Sequence, residues 1–405
     1  MPGMPLTVQE TLAMTRMKRA LWSLVALASC VLAVLVLTSL GSRMEGPFAA
    51  VMSRIGIGVS ETEVRLLRPF RGPGRSSHLA WFQSKRIDVA WLRHPPQILL
   101  GAYDDRIPAT FDGVLELEQA LKTTLPLIQI YTAWGDRPDE QFPRRILQAI
   151  WELGSVPVVT WEPWLVDFKN QLHPNIPLVE DRDRGGMAAI ARGDYDFYID
   201  AWAGEAADFK EPLFLRFGHE MNDPYRYPWG PQNNKAGDYV AAWRHVVDRF
   251  RAAGASNVLW VWSPHLAYEG AEWFYPGDDY VDWVATGVLN YGNVAHWSKW
   301  WTFEEIFGQK QAVLTRYRKP IMIAEFGSLV TGGDRIAWFE TALTDLPDRY
   351  PLVRALLFFN VHSDRTVTLQ ALDWSFVRDP ETSARLAQEI GAWSSGAIER
   401  QDRKK

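Results

Sequence analysis

The 405-residue sequence predicts an α/β chain folded as a (β/α)8 barrel, and three observations carry that expectation. From residue 97 onward, short and nearly continuous apolar runs alternate with amphipathic stretches, as expected of parallel strands buried on both faces. The alternation repeats about eight times, the number a closed barrel of this kind requires. The C-terminal ends of the runs carry carboxylates, histidines and aromatics, whereas their N-terminal ends offer little beyond proline and lysine. That polarity matters, because chemistry in such barrels collects at the C-terminal strand ends.

The candidate strands, in order, are Gln97–Tyr103, Leu127–Thr132, Val156–Trp161, Pro212–Phe217, Asn257–Trp262, Gly287–Tyr291, Pro320–Glu325 and Val353–Phe359. Helical patterns lie between them around 113–122, 142–152, 194–208, 238–253, 303–317 and 334–346, with a last one at 380–393. In the fourth of these, Ala242, Val246, Val247 and Phe250 form the apolar stripe of a helix lying on a sheet. A doubly wound open sheet is the alternative, but no glycine-rich phosphate loop follows the first strand. The barrel is therefore placed over 97–393, followed by a polar tail at 394–405.

The N-terminal part reads differently. Ala20–Leu40 is an uncharged apolar run long enough to cross a bilayer core of about 30 Å as one helix. Arg16, Lys18 and Arg19 precede it, so residues 1–19 are expected in the cytoplasm and the rest of the chain outside. Two other readings of this segment are a signal peptide cleaved before Ser42 and a lipid attached at Cys30 in Leu27-Ala28-Ser29-Cys30. An uncleaved single-pass anchor is the expectation, because mostly apolar residues continue well beyond Cys30. Residues 41–96, broken by Gly72-Pro73-Gly74, read as a juxtamembrane spacer or a small add-on to the barrel. His94-Pro95-Pro96 marks its end.

Composition excludes some classes of function. A net charge of −5 provides no basic field for a polyanion, which argues against nucleic acid as a partner. The only cysteine is Cys30, so the predicted barrel has no thiolate for catalysis or metal binding. Tryptophan is abundant at 20 residues, and flat aromatic faces both fill cores and stack on sugar rings.

Two carboxylates stand out at the strand ends. In Leu213-Phe214-Leu215-Arg216-Phe217-Gly218-His219-Glu220, alternation puts Arg216, Gly218 and Glu220 on one side. Ile321-Met322-Ile323-Ala324-Glu325 is an apolar strand that delivers one acid at its end, a costly placement unless that acid is hydrogen-bonded or useful. Cleavage of a glycosidic bond needs two flanking carboxyls, one to protonate the leaving oxygen and one to attack or to activate water. Glu220 and Glu325 are the candidates. Tyr103, Trp161, Trp164, Asn222, Trp262 and Tyr291 also end predicted strands and are expected to line a sugar-binding cleft.

At these residues the chain resembles glycoside hydrolase family 26, the β-mannanase family. Arg216-Phe217-Gly218-His219-Glu220-Met221-Asn222 followed by Tyr227-Pro228-Trp229-Gly230 is similar to the family's fourth-strand signature. Asn257-Val258-Leu259-Trp260-Val261-Trp262-Ser263-Pro264 resembles its fifth strand, and Lys319-Pro320-Ile321-Met322-Ile323-Ala324-Glu325-Phe326-Gly327 its seventh. The resemblance implies a retaining endo-β-glycanase with Glu220 as acid/base and Glu325 as nucleophile. It also implies that His219 contacts the sugar beside the cleaved link, that Trp229 walls the cleft and that Tyr291 hydrogen-bonds the nucleophile. Arg216 would keep Glu325 ionised. The implied partner is a β-linked polysaccharide, with no catalytic cofactor and no metal. Asp223 stands where the family commonly has glycine, and Pro224-Tyr225-Arg226 brings further charge close to the acid/base. Phe358-Phe359-Asn360 carries phenylalanine where a tryptophan platform is common. These departures leave mannan, mixed-linkage glucan, β-1,3-xylan and a bacterial exopolysaccharide open as substrates. The rival expectation is a non-catalytic polysaccharide-binding barrel, against which the retention of both glutamates argues. A metal hydrolase is disfavoured by the absence of His-Glu-x-x-His or another tight His/Asp cluster in the sequence.

Overall fold

The structure, a computed structural model, describes residues 75–402, with only the backbone of residue 76 and of residues 394–402. The expected membrane segment Ala20–Leu40 lies outside the described residues. Among the described residues, no helix is long and apolar enough to cross a membrane.

Eight parallel strands close into a barrel in chain order. They are β1 (Leu99–Asp104), β2 (Leu127–Ala133), β3 (Val156–Glu162), β4 (Leu213–Phe217), β5 (Val258–Trp262), β6 (Trp283–Asn290), β7 (Ile321–Ser328) and β8 (Val353–Asn360). The outer layer contains α1 (Asp112–Leu121), α2 (Arg144–Glu152), α3 (Gly186–Arg192), α4 (Asp196–Phe209), α5 (Ala236–Ala252), α6 (Arg335–Arg349) and α7 (Pro380–Asp402). The apolar stripe read from the sequence on α5 is buried throughout.

The differences from expectation are local. Helix α3 lies in the long β3–β4 connection and has too few periodic residues to announce itself. The expected helix over 303–317 is split into a π-turn at Glu304–Gly308 and a short helix at Ala312–Thr315. Gly308 sits at the break, as a residue that weakens helix continuation. The last helix continues to Asp402, past the expected boundary at 393.

Residues 75–93 pack against the N-terminal ends of the strands in short helical turns, with Leu79, Phe82 and Leu92 fully buried. Trp283 Nε1, at the start of β6, donates to the Leu92 carbonyl at 3.0 Å. Arg75 is the main clamp. Its guanidinium pairs with Glu118 of α1 at 2.6 Å and donates to Leu125 O at 3.0 Å and Ser155 Oγ at 2.9 Å. It therefore ties this segment to the entries of β2 and β3. Both members of the pair are buried, so removing one strands a charge. Arg75→Met should lower unfolding stability by about 3–5 kcal/mol, read from urea denaturation. A loss below ~1 kcal/mol would mean that the segment is held by its apolar contacts alone.

Candidate active site

Side-chain alternation sorts the strand ends into two layers. Tyr131, Thr160 and Arg216 are register neighbours across β2, β3 and β4, and their polar groups meet inside the barrel mouth. Arg216 Nε donates to Thr160 Oγ1 at 2.9 Å, and Nη2 donates to the Tyr131 hydroxyl at 3.0 Å. One residue further along, Thr132, Trp161 and Phe217 are also neighbours and face outward toward the helices.

Glu325 lies on the inner layer of β7. Its Oε1 accepts from Arg216 Nη2 at 2.6 Å and from the Tyr131 hydroxyl at 2.8 Å. Burial pushes the Glu325 carboxyl up, but the Arg216 charge and the two hydrogen bonds outweigh it, so its pKa lies below the usual carboxylate range. Tyr131 keeps its proton, because burial and the Glu325 charge both raise its pKa well above the ordinary phenol. It is therefore a permanent donor to the carboxylate.

Glu220 reaches the mouth by a turn rather than by strand alternation. β4 stops at Phe217, and Gly218 and Glu220 both take left-handed backbone conformations, with φ of 49° and 52°. For a non-glycine residue that conformation is costly and persists only where the surroundings enforce it. Here the Glu220 amide donates to Ser263 O at 2.6 Å beyond β5, and Gly218 N donates to Trp161 O at 3.0 Å. The turn brings the Glu220 carboxyl over β6. A Cβ placed on Gly287 would stand 3.5 Å from Glu325 Oε2 and 3.7 Å from Glu220 Oε1. Glycine on β6 thus leaves an open space that both carboxyls face.

Other expected residues divide between the cleft and the wall behind it. His219 is buried and pairs through Nε2 with the Tyr227 hydroxyl at 3.1 Å. Burial, then the nearby Arg216 and Arg226 charges, push its pKa far down, so the ring is neutral. Tyr103 packs edge-on against Tyr131 at 4.7 Å, and burial raises its pKa to about 12. Trp164 is half-buried and donates from Nε1 to Glu162 Oε2 at 3.2 Å.

Four expected cleft residues do structural work instead. Trp161 is fully buried in the outer layer against Trp134 and Trp202, because it sits one residue past inward-facing Thr160. Trp262 is also fully buried, and its Nε1 donates to Phe274 O at 3.1 Å. Trp229 is buried rather than walling the cleft; it stacks on Tyr227 and donates to His219 O at 2.7 Å, fixing the turn that carries Glu220. Asn222 bridges to the loop after β5 through His265 O at 2.9 Å, Tyr268 O at 3.1 Å and His265 N at 2.8 Å.

Tyr291 requires a reassignment. The hydroxyl on Glu325 belongs to Tyr131, because β6 ends at Asn290 and the Tyr291 ring turns against Trp374 and Trp297. Tyr291 still feels the charges of Arg226, Glu220 and Glu325, with burial the largest cause of its raised pKa. Its place is beside the carboxyls, without the expected bond.

The structure also brings into the site Glu162, which follows the third predicted strand, and Tyr227. Glu162 closes β3 and stands 3.9 Å from His219 Nδ1. Burial raises its pKa to about 7 against the pull of Trp164, Arg216 and Arg226. The signal for Tyr131 and Glu162 was alternation, since each lies an even number of residues from an inward-facing neighbour. Barrel closure also gathers Asp104, Asp105 and His362 within 4.8 Å, a cluster not visible in the linear sequence. Its groups are already paired, Asp104 with Arg106 and Asn360, and Asp105 with His362.

Comparisons with known proteins bear on the fold and the family. The profile of glycosyl hydrolase family 26 matches residues 164–342. Endoglucanase H of Acetivibrio thermocellus is 31% identical over 316 residues, covering 73% of this chain and 32% of that protein. Beta-1,3-xylanase TXYA of a Vibrio species is 31% identical over 126 residues, or 30% of this chain and 26% of its own length. The chain thus spans about a third or less of these curated relatives. Among solved structures, an endo-beta-1,4-mannanase double mutant of Cellulomonas fimi superposes with a TM-score of 0.53 at 16% identity, covering 75% of this chain and 74% of that one. That likeness speaks for the barrel fold alone. With the motifs in order and both glutamates at the strand ends of the matched region, the chain belongs to glycosyl hydrolase family 26.

Proposed function

We propose that this chain is a membrane-anchored, retaining endo-β-glycanase that cleaves a β-linked polysaccharide by double displacement. The observation that carries the reading is the pair Glu220 and Glu325, facing one open space over Gly287. Glu325, held ionised by Arg216 and Tyr131, attacks the anomeric carbon as the bond to the leaving oxygen breaks and Glu220 delivers a proton to that oxygen. Water then attacks the glycosyl-enzyme ester, gives its proton to Glu220 and returns Glu325 as the carboxylate. The relatives' names, an endoglucanase and a β-1,3-xylanase, support a β-linked backbone for the substrate.

The test is a screen of the full chain on mannan, mixed-linkage glucan, β-1,3-xylan and bacterial exopolysaccharide, with product anomers followed by NMR. One of these should be cleaved internally with β products appearing first. First-formed α products would overturn retention, and no cleavage of any polymer would overturn the glycanase reading.

Anchoring rests on the length of Ala20–Leu40 and its basic flank. The expressed protein should sediment with membranes and need detergent for release. A soluble form beginning at Ser42 would overturn the anchor, and an acylated Cys30 would replace it with a lipid.

A further inference from the structure

Glu220 has neighbours that a neutral leaving sugar does not explain. Arg226 Nη1 stands 3.3 Å from Glu220 Oε2, and among the described residues this is the only hydrogen-bond partner of its guanidinium. A guanidinium offers five N–H donors, so most of them have no hydrogen-bond partner among the described residues. The Arg226 side chain is 29% exposed and its guanidinium carbon lies over the Tyr227 ring at 5.1 Å, so the head stays beside Glu220 and does not trail into solvent. On the other side, His265 Nε2 is 3.9 Å from Glu220 Oε1. Its Nδ1 accepts from the Ala267 amide at 3.0 Å, so a neutral ring carries its hydrogen on Nε2, toward Glu220. Tyr225, 79% exposed, and Tyr268 lie edge-to-face at 5.9 Å on the same two loops.

The charges in the cleft are unevenly used. Arg216 commits Nε to Thr160 and Nη2 to Glu325 and Tyr131, with Nη1 buried and unpartnered, so its charge is already paired with the Glu325 carboxylate. Arg226 makes one long ion pair, to the carboxyl that must carry a proton to the leaving oxygen, and otherwise rests against the face of Tyr227. A fixed cation there works against that task unless another anion draws it away. Because Glu220 addresses the leaving oxygen, the groups around it face the leaving sugar.

We infer that the sugar on the leaving side of the cleaved bond bears a carboxylate, as a uronic acid does, and that Arg226 reads it by a charge-assisted pair. This rests on the glycanase reading for its place in the reaction, but the binding itself does not. The carboxylate takes Arg226 from Glu220 and leaves Glu220 free to act on the leaving oxygen. The substrate is then an acidic β-glycan, and the departure at Asp223-Pro224-Tyr225-Arg226 is what selects it.

The experiment measures binding of cellobiouronic acid and of cellobiose to the full chain in detergent by titration calorimetry. Wild type should hold the acid about tenfold more tightly, consistent with a charged partner, and the preference should shrink as salt is raised. Arg226→Lys should keep part of the preference and Arg226→Met should lose it, each with an unchanged circular dichroism spectrum. Equal binding of the two disaccharides by wild type overturns the inference, and so does a preference undiminished in Arg226→Met. Acid binding through Arg226 without cleavage of any β-glycan would support this inference and sink the glycanase reading. Cleavage of neutral glycans with equal disaccharide binding would do the reverse.

Discussion

Replacing Glu325 by alanine is expected to lower turnover by about a thousandfold or more, because the covalent step then has no nucleophile. Glu220→Ala should be comparably damaging on substrates with a poor leaving group, and much less so on an activated aryl glycoside that departs without protonation. That contrast separates the two roles. Added azide sharpens it. In Glu325→Ala a small anion occupies the space of the missing carboxylate and attacks directly, giving a glycosyl azide of inverted configuration. In Glu220→Ala azide attacks the glycosyl-enzyme formed on Glu325 and gives the retained product. Initial rates and NMR of the azide adducts decide the assignment. Near-normal activity of either variant, or azide products of the opposite configuration, would show that the roles are wrong. Stability should move little in Glu220→Ala, since the left-handed turn at that residue is strained in the first place.

The second large effect is expected at Arg216. The Glu325 carboxyl is buried, and the Arg216 charge, the bonds from Arg216 and Tyr131 and, last, the Arg226 charge bring its pKa below the usual range. Arg216→Met removes the dominant opposing cause, so burial prevails and the pKa of Glu325 rises. The acid limb of the activity profile should therefore move to higher pH, with turnover reduced even on the plateau. Tyr131→Phe removes one hydrogen bond at 2.8 Å and should shift the same limb in the same direction by a smaller amount. The sign for stability follows from the same linkage. A carboxyl with a depressed folded pKa contributes stability above its unfolded value, and that contribution is lost as pH falls through the folded value. Wild type should lose this increment in acid, whereas Arg216→Met should already lack it at neutral pH. Breaking a buried pair costs about 3–5 kcal/mol, which denaturation at pH 7 would read. A pH profile of kcat/KM unchanged in both variants would mean that Glu325 is not the group limiting activity in acid.

The resemblance implied a hydrogen bond from Tyr291 to the nucleophile, but the Tyr131 hydroxyl is the one that reaches Glu325, so Tyr291→Phe should leave the acid limb nearly in place where Tyr131→Phe moves it upward.

The sequence by itself determined the strands and the two carboxyls. An apolar run bounded by turns is a local pattern, and a strand buried on both faces writes it into consecutive residues. The ends of those runs then locate the mouth of the barrel, which is why Glu220 and Glu325 were legible. Trp161 and Trp262 were misplaced because position along a strand was read without its side. Inward Thr160 makes Trp161 face outward, and the direction becomes certain only when Arg216 pairs with Thr160. The partner of the nucleophile was decided by tertiary structure alone. Tyr131 and Glu325 are 194 residues apart and lie on β2 and β7, which are not neighbours in the sheet. They meet because closing and tilting the barrel points its inner side chains at a common centre. No local periodicity records that convergence. The same holds for Glu220, whose approach to the centre depends on a left-handed turn anchored by Ser263 and Trp161 from the neighbouring strands.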